Sequence, residues 1–332
     1  MSRFRYFIST NPAILYQMNR EQLLVKDDEV KEFLNTYYSG PVEGLVYVYG
    51  GKHSEAFSYT HENKQYILRF NESERGFLKD KYAYDTFSSE NLIIPKIYDV
   101  GKHTENVYYC ISEKIEGETP KDAYKRGDFS SLSLQFEMIE RIKDSTIPED
   151  YTGYDEIELG KKTRFETLED YVMSLYFSNE LFDWNELSKL PFFDQSFIDY
   201  LVSKVKELVK YGEGARVLLH GDFGNDNLFI KDGKVTGIID WERLRLADHF
   251  LDVGRVVLFC PNREVTVKEV LTFYENKGYE HYKERIALGV YVAMIRNYGA
   301  AAKVGNEASC ASAPTRIREF EELMEKGVEG RS

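Results

Sequence analysis

Two kinds of residue patterning meet in this chain, and their order constrains the fold more than any other feature. Over roughly the first 115 residues, short runs rich in aromatic and β-branched residues recur: GLVYVYG (44–50), EAFSYT (55–60), QYILRF (65–70), IPKIYDVG (94–101) and NVYYCISEKI (106–115). Gly-Gly and His-Glu-Asn-Lys stretches and a polar turn at 102–105 separate them, the pattern of a hairpin meander. Helices are expected at 25–37, where Val30, Phe33 and Leu34 share a face, and at 73–88, where Phe77, Leu78, Tyr82, Tyr84 and Phe87 recur at near-helical spacing.

Beyond that point the apolar period lengthens. Segments 132–145, 167–177, 195–211, 265–277, 281–298 and 315–326 read as amphipathic helices, with Leu201, Val202, Val205, Leu208 and Val209 forming one ridge. A β-rich patch at 215–242 interrupts them, and its Lys231-Asp232-Gly233-Lys234 stretch reads as a hairpin turn. The expected fold class is therefore α+β and bilobal. A small antiparallel sheet with one intervening helix precedes a larger, mainly helical lobe. The expected divisions are an N-terminal extension (1–25), an N-lobe (26–114) and a helical C-lobe (115–332), with the connection near 112–117.

A length of 332 residues suits two such domains, and 42% hydrophobic with 14% aromatic content excludes a disordered chain. The formal charge of −13 is wrong for an electrostatic grip on nucleic acid or an anionic membrane, and would suit a cationic ligand. Cys110, Cys260 and Cys310 are odd in number and far apart, so buried free thiols are expected rather than a disulfide framework or a zinc ribbon. No signal-peptide core and no run of eighteen apolar residues is present, so a soluble, cytoplasmic monomer or homodimer is expected.

Chemistry concentrates in His220-Gly221-Asp222-Phe223-Gly224-Asn225-Asp226-Asn227, followed by Ile238-Ile239-Asp240-Trp241. Apolar runs bracket both clusters, so strand ends present Asp, Asn and Asp to one place. Mg²⁺ favours a few such oxygen ligands together with phosphate oxygens. A carboxylate just ahead of them can orient an attacking hydroxyl and accept its proton, the logic of phosphoryl transfer. Taken singly, Asp222, Asn225 and Asp226 read better as turn residues, and Asp240 better as a cap.

These residues resemble the catalytic and metal-binding loops of the aminoglycoside phosphotransferases, small-molecule kinases with a protein-kinase-like fold. AFSY, YILRFN, GFLKDKYAYDTF, IPKIYDVG, YYCIS, LLHGDFGNDN and IIDW follow the order and intervals of the family's hygromycin branch, over roughly 45–320. TGYDEIELGKKTRFETLEDYV (152–172) is similar to that branch's helical lobe, while residues 1–25 stand outside the likeness.

The resemblance implies that Asp222 is the catalytic base and His220 braces its loop, with Asn227 and Asp240 the Mg²⁺ ligands. It implies ATP as phosphoryl donor. Gly50, Gly51 and Ser54 would cover the nucleotide phosphates and Arg69 would grip them, standing where protein kinases carry lysine. Asp80 is the first choice for the helix acid that pairs with Arg69, with Glu74 in reserve. The hinge Ile111-Ser112-Glu113-Lys114-Ile115 would hold adenine through backbone groups, here assigned to Glu113 and Ile115. Asp252 reads as structural, a buried acid or a helix N-cap that accepts backbone N–H bonds, and Trp241 as core.

A cationic acceptor would need carboxylates near Asp222, and Asp226 and Glu242 are the nearest in sequence. Glu149, Asp150, Asp155, Glu156, Glu158, Glu180 and Asp183 are further candidates for an acidic wall, although most such charges are solvated. Hygromycin B is the first acceptor to test, with antibiotic resistance the implied role. Macrolides, choline and sugars are alternative acceptors on the same fold, and a catalytically silent nucleotide-binding regulator is the alternative outside enzymology.

Overall fold

The computed structural model describes residues 24–48, 54–178 and 181–327. The expectation of an N-terminal extension thus lies almost wholly outside the described residues. The chain divides into two units: residues up to 84 with 95–115, and residues 85–94 with 116 onward. Stretch 85–94 therefore belongs with the helical unit although it lies inside the meander in sequence.

In the first unit, helix α1 (Asp27–Tyr37) precedes strands β1 (Glu43–Val48), β2 (Glu55–His61) and β3 (Lys64–Asn71). Helix α2 (Arg75–Phe87) follows, then β4 (Ile97–Thr104) and β5 (Val107–Glu113). The five strands form one antiparallel sheet in the order β1-β2-β3-β5-β4. Glu62 and Asn63 both take positive φ (48° and 60°), as a two-residue hairpin turn between right-twisted strands requires. Strand alternation sends Phe57, Tyr59, Leu68, Phe70 and Ile111 to one face, where Val30 and Leu34 of α1 complete the core. The opposite face carries Cys110 and Ile97 against Phe77 of α2.

The second unit contains α3 (Pro120–Tyr124), α4 (Leu132–Lys143), β6 (Asp155–Glu156), α5 (Leu168–Phe177), α6 (Trp184–Leu187) and α7 (Gln195–Leu208). Then come β7 (Val217–Leu219), β8 (Leu228–Lys231), β9 (Lys234–Ile238), β10 (Arg245–Ala247), α8 (Phe250–Phe259), α9 (Arg263–Lys277), α10 (Tyr282–Lys303) and α11 (Glu307–Lys326). Several starts are fixed by side-chain caps: Thr119, Thr167, Asp194, Asn262 and Asn306 each accept an N–H of the first turn. Helices α8 and α10 cross at glycines. A Cβ on Gly254 would lie 2.0 Å from the Gly289 carbonyl carbon, and one on Gly289 would lie 2.0 Å from the Phe250 oxygen. The two backbones therefore approach more closely than any side chain would allow.

The patch at 215–242 is two structures rather than one. β8 and β9 form a hairpin whose turn residues Asp232 and Gly233 both have positive φ (52° and 71°). β7 instead pairs with β10, which also pairs with β6. Helix α8 is a further element that the sequence patterning did not separate from the stretch after Asp240. The three cysteines are buried and free, and among the described residues no helix is long and apolar enough to cross a membrane.

Candidate active site

β7 ends at Leu219, and the chain then turns sharply through His220-Gly221-Asp222. Gly221 has φ +80°, and a Cβ there would meet the Arg243 carbonyl oxygen at 2.0 Å, so only glycine fits. Its amide donates to Asp252 Oδ2 (3.0 Å), and its carbonyl accepts from Arg245 Nη2 (2.7 Å). Asp252, buried at the start of α8, thus braces the loop through a backbone N–H and is not the cap of its own helix.

His220 is fully buried. Its Nε2 lies 2.9 Å from the Ile239 carbonyl oxygen, and its Nδ1 accepts the Asp222 amide at 3.3 Å. That pattern needs a neutral ring protonated on Nε2. The ring packs at 4.6 Å from Trp241, a core residue 1% exposed whose Nε1 donates to Ile238 O.

Asn227 and Asp240 meet through the β8–β9 hairpin. Leu228 pairs with Ile238, and the Ile239 amide donates to Asn227 O at 2.9 Å, so the two residues occupy the same end of the ladder. Asn227 Nδ2 donates to the Asp222 carbonyl (3.0 Å), which leaves its amide oxygen for another partner. Asp240 adopts a left-handed conformation (φ 68°, ψ 60°), costing about 1–3 kcal/mol for a residue with a Cβ. No cluster of three or more His, Cys, Asp or Glu suited to a metal occurs among the described residues. One amide oxygen and one carboxylate still fit Mg²⁺, which is commonly bound by one or two carboxylates while substrate phosphates and water complete its shell.

Asp222 carries a partner that the sequence did not suggest. Arg255 Nη2 on α8 lies 2.5 Å from Asp222 Oδ1. Burial pushes the Asp222 carboxyl up, but the neighbouring guanidinium charges, Arg255 foremost, outweigh it and hold the group below its ordinary value. The available signal was an arginine inside the apolar run FLDVGRVVLF, where a lone charge needs a partner.

In the first unit, Arg69 lies opposite Cys110 and donates to Asp80 Oδ2 of α2 at 2.6 Å. Burial works against the guanidinium's charge, and Asp80 more than offsets it, holding the group above its ordinary value. Glu74, the reserve, is exposed. Gly50 and Gly51 lie outside the described residues, and Ser54 sits half-buried just before β2. In the hinge, the amides of Glu113 and Lys114 are used within the unit, bonding Lys96 O and Gln65 O, which removes Glu113 N–H as an adenine donor. Ile115 follows them, half-buried.

The acceptor carboxylates are less concentrated than the sequence suggested. Asp226 is exposed and paired with Lys121 at 3.2 Å. Glu242 is half-buried beside Arg243 Nε (3.7 Å). Asp155 is committed to Arg164 and Asp183 caps α6. Glu156 approaches Arg243 at 3.8 Å, and Glu180 lies outside the described residues.

A loop that positions one carboxylate, next to a hairpin that gathers two oxygen donors, defines the phosphotransferase class. Residues 48–285 match the phosphotransferase enzyme family, and the chain belongs to it. Hygromycin-B 4-O-kinase of Escherichia coli is 26% identical over 235 residues, covering 70% of this chain and 67% of that protein. Aminoglycoside 3'-phosphotransferase of Enterococcus faecalis is 40% identical over 68 residues, 20% of this chain and 21% of that one. Among solved structures, a thermostable mutant of aminoglycoside phosphotransferase APH(4)-Ia, in ternary complex with AMP-PNP and hygromycin B, superposes with a TM-score of 0.75. The identity is 22%, over 89% of this chain and 98% of that one. That likeness establishes the kinase-like α+β fold.

Proposed function

We propose that this phosphotransferase moves the γ-phosphoryl group of ATP to a hydroxyl of an aminoglycoside, with hygromycin B the first acceptor to test, and thereby confers resistance. The first unit is the nucleotide-binding lobe and the second carries the chemistry. The observation that carries the reading is the His220 clamp, which fastens the Asp222 loop to the strand end bearing Asp240. The relatives' names, a hygromycin-B kinase and an aminoglycoside phosphotransferase, support the acceptor class.

Asp222 acts as the base. Arg255 holds one carboxylate oxygen at 2.5 Å, leaving the other to orient the acceptor hydroxyl and take its proton as the oxygen attacks phosphorus. Keeping the carboxyl below its ordinary value ensures that it is ionised when the hydroxyl arrives. Asn227 Oδ1 and the Asp240 carboxylate would hold Mg²⁺, which when bound neutralises charge on the phosphates. Arg69, anchored by Asp80, grips phosphate oxygens, and its fixed charge and planar fork suit that task. Gly50, Gly51 and Ser54 would cover the phosphates, and Ile115 would supply the backbone contact to adenine. Asp226 and Glu242 would face a cationic acceptor.

Mg²⁺-dependent ADP release, measured with a panel of hydroxylated acceptors, tests this directly. Release with hygromycin B or another aminoglycoside supports the reading. Release only with choline, a macrolide or a sugar would reassign the acceptor, and nucleotide binding without release for any acceptor would point to a silent regulator.

A further inference from the structure

Arg245 opens β10, where pairing sets it opposite Leu219, the last residue of β7. Its guanidinium lies against the turn that follows Leu219, and a Cβ on Gly221 would stand 2.3 Å from Arg245 Nε. The residue is 4% exposed, and its donors go to three neutral oxygens. Nη2 gives to Gly221 O (2.7 Å), Nε to Arg243 O (3.1 Å) and Nη1 to the Tyr171 hydroxyl of α5 (3.0 Å). A buried guanidinium bonded to no carboxylate costs stability that an apolar side chain of similar volume would not.

The bonds show what that cost secures. The Arg243 carbonyl leaves room only for glycine at 221, and glycine has the least constrained backbone of any residue. That freedom falls on the peptide joining Gly221 to Asp222. Buried side chains hold this peptide at both polar ends: Arg245 binds its oxygen, and His220 Nδ1 accepts its N–H at 3.3 Å. Asp252 holds the preceding peptide through the Gly221 amide. Arg245 also reaches α5 through Tyr171, itself 3% exposed, so the loop and that helix share one guanidinium.

We propose that Arg245 is a positioning residue for phosphoryl transfer: by fixing the Gly221–Asp222 peptide and tying it to α5, it sets the direction of the Asp222 carboxylate. This rests on the reading of Asp222 as the base. In the step it serves, the acceptor oxygen–phosphorus bond forms and the bond from phosphorus to the β,γ-bridging oxygen of ATP breaks. The hydroxyl proton passes to Asp222, and ADP leaves. Arg245 acts on this step through the backbone, where a rotation that moves the carboxylate by about 1 Å is enough to lower the rate about a hundredfold.

The test uses the full chain, with kinetics of Mg²⁺-dependent ADP release on hygromycin B and hydrogen exchange of the Asp222 amide followed by NMR. Arg245→Met should lower kcat about a hundredfold, with the KM values for ATP and acceptor held within about twofold. Arg245→Lys, which keeps the charge but cannot fork across three oxygens, should recover part of the loss. Tyr171→Phe should lower kcat about fivefold, the equivalent of one neutral hydrogen bond. In the Arg245→Met background the same change should cost nothing further. The Asp222 amide should exchange about tenfold faster in Arg245→Met, with or without an acceptor.

Near-wild-type kcat in a folded Arg245→Met protein would overturn the proposal, as would normal kcat with a raised KM. Fully additive losses from Arg245→Met and Tyr171→Phe would also overturn it. So would unchanged Asp222 exchange, which is readable whichever acceptor the enzyme uses. If Arg245→Met does not fold, Arg245→Lys and Tyr171→Phe give the same two readouts, and wild-type values in both would overturn it. Asp222→Asn retaining turnover would instead defeat the base assignment and leave the exchange result in place.

Discussion

His220 Nε2 lies 2.9 Å from the carbonyl oxygen of Ile239, the residue immediately before Asp240. Because the other ring nitrogen accepts the Asp222 amide, a single neutral imidazole spans the Asp222 loop and the hairpin. His220→Ala would leave a part-buried amide and a part-buried carbonyl without this partner, costing about 1–3 kcal/mol by urea denaturation. Turnover should fall further than nucleotide affinity, since the loop moves and the unit proposed to bind the nucleotide does not.

Asp222→Ala should reduce turnover by about 10²–10⁴-fold, the range for loss of a positioned base. Calorimetric affinity for ATP should stay close to wild type. Near-normal turnover with the authentic acceptor would rule the base assignment out.

The Arg69–Asp80 pair is largely shielded, with side-chain exposures of 20% and 7%. Asp80→Ala should destabilise the protein by about 3 kcal/mol, because an unpaired guanidinium is left on the sheet face, and should raise the KM for ATP. The double variant Arg69→Met/Asp80→Leu should recover stability without recovering ATP affinity. That split separates the structural task of the pair from the phosphate-binding task proposed for Arg69.

Gly289→Ala tests the crossing of α8 and α10. Its Cβ would lie 2.0 Å from the Phe250 oxygen, so thermal denaturation should register a loss of about 3 kcal/mol. Gly278→Ala is the instructive contrast. It ends α9 in the left-handed region with open space around it. Any loss there, about 1 kcal/mol, reflects backbone strain alone.

Acid stability should depend on Glu140. Burial pushes its carboxyl up, but His249, whose Nε2 lies 3.1 Å from Oε1, the hydrogen bond that the Tyr279 hydroxyl donates, and the charge of Lys143 bring it down from 4.5 to about 2. A carboxyl depressed in the folded state contributes stability that is complete above its unfolded value and is lost as pH falls toward the folded one. The contribution should therefore decline between pH 4.5 and about 2. Glu140→Gln should flatten the denaturation midpoint across that window.

The sequence made the meander, the hairpin turn at Asp232-Gly233 and the long amphipathic helices legible because each is written in local periodicity or turn chemistry. The loop that carries Asp222 was legible for a related reason: its polar residues interrupt apolar strands at short spacing. Helix α8 was not, since its run Phe250–Phe259 is buried nearly all round and has only Asp252 and Arg255 to mark a polar side. The β6-β10-β7 sheet escaped notice because its strands are two or three residues long and distant along the chain. The Arg255–Asp222 pair depends on where α8 packs, which no spacing rule reports. Asp226 and Glu242 were chosen by proximity along the chain, and Asp226 lies exposed against Lys121.

The β8–β9 hairpin carries Asn227 and Asp240 just outside its paired ends, and its tip at Asp232-Gly233 is exposed. A bulge at Thr236 already gives β9 one residue more than β8. A peptide tag or fluorescent reporter spliced between Asp232 and Gly233 would therefore leave both oxygen donors in step. Deleting Thr236 alone would remove the bulge and still leave Leu228 opposite Ile238, so the donors would stay aligned while the hydrogen bond from the Thr236 hydroxyl to the Glu116 carbonyl is lost.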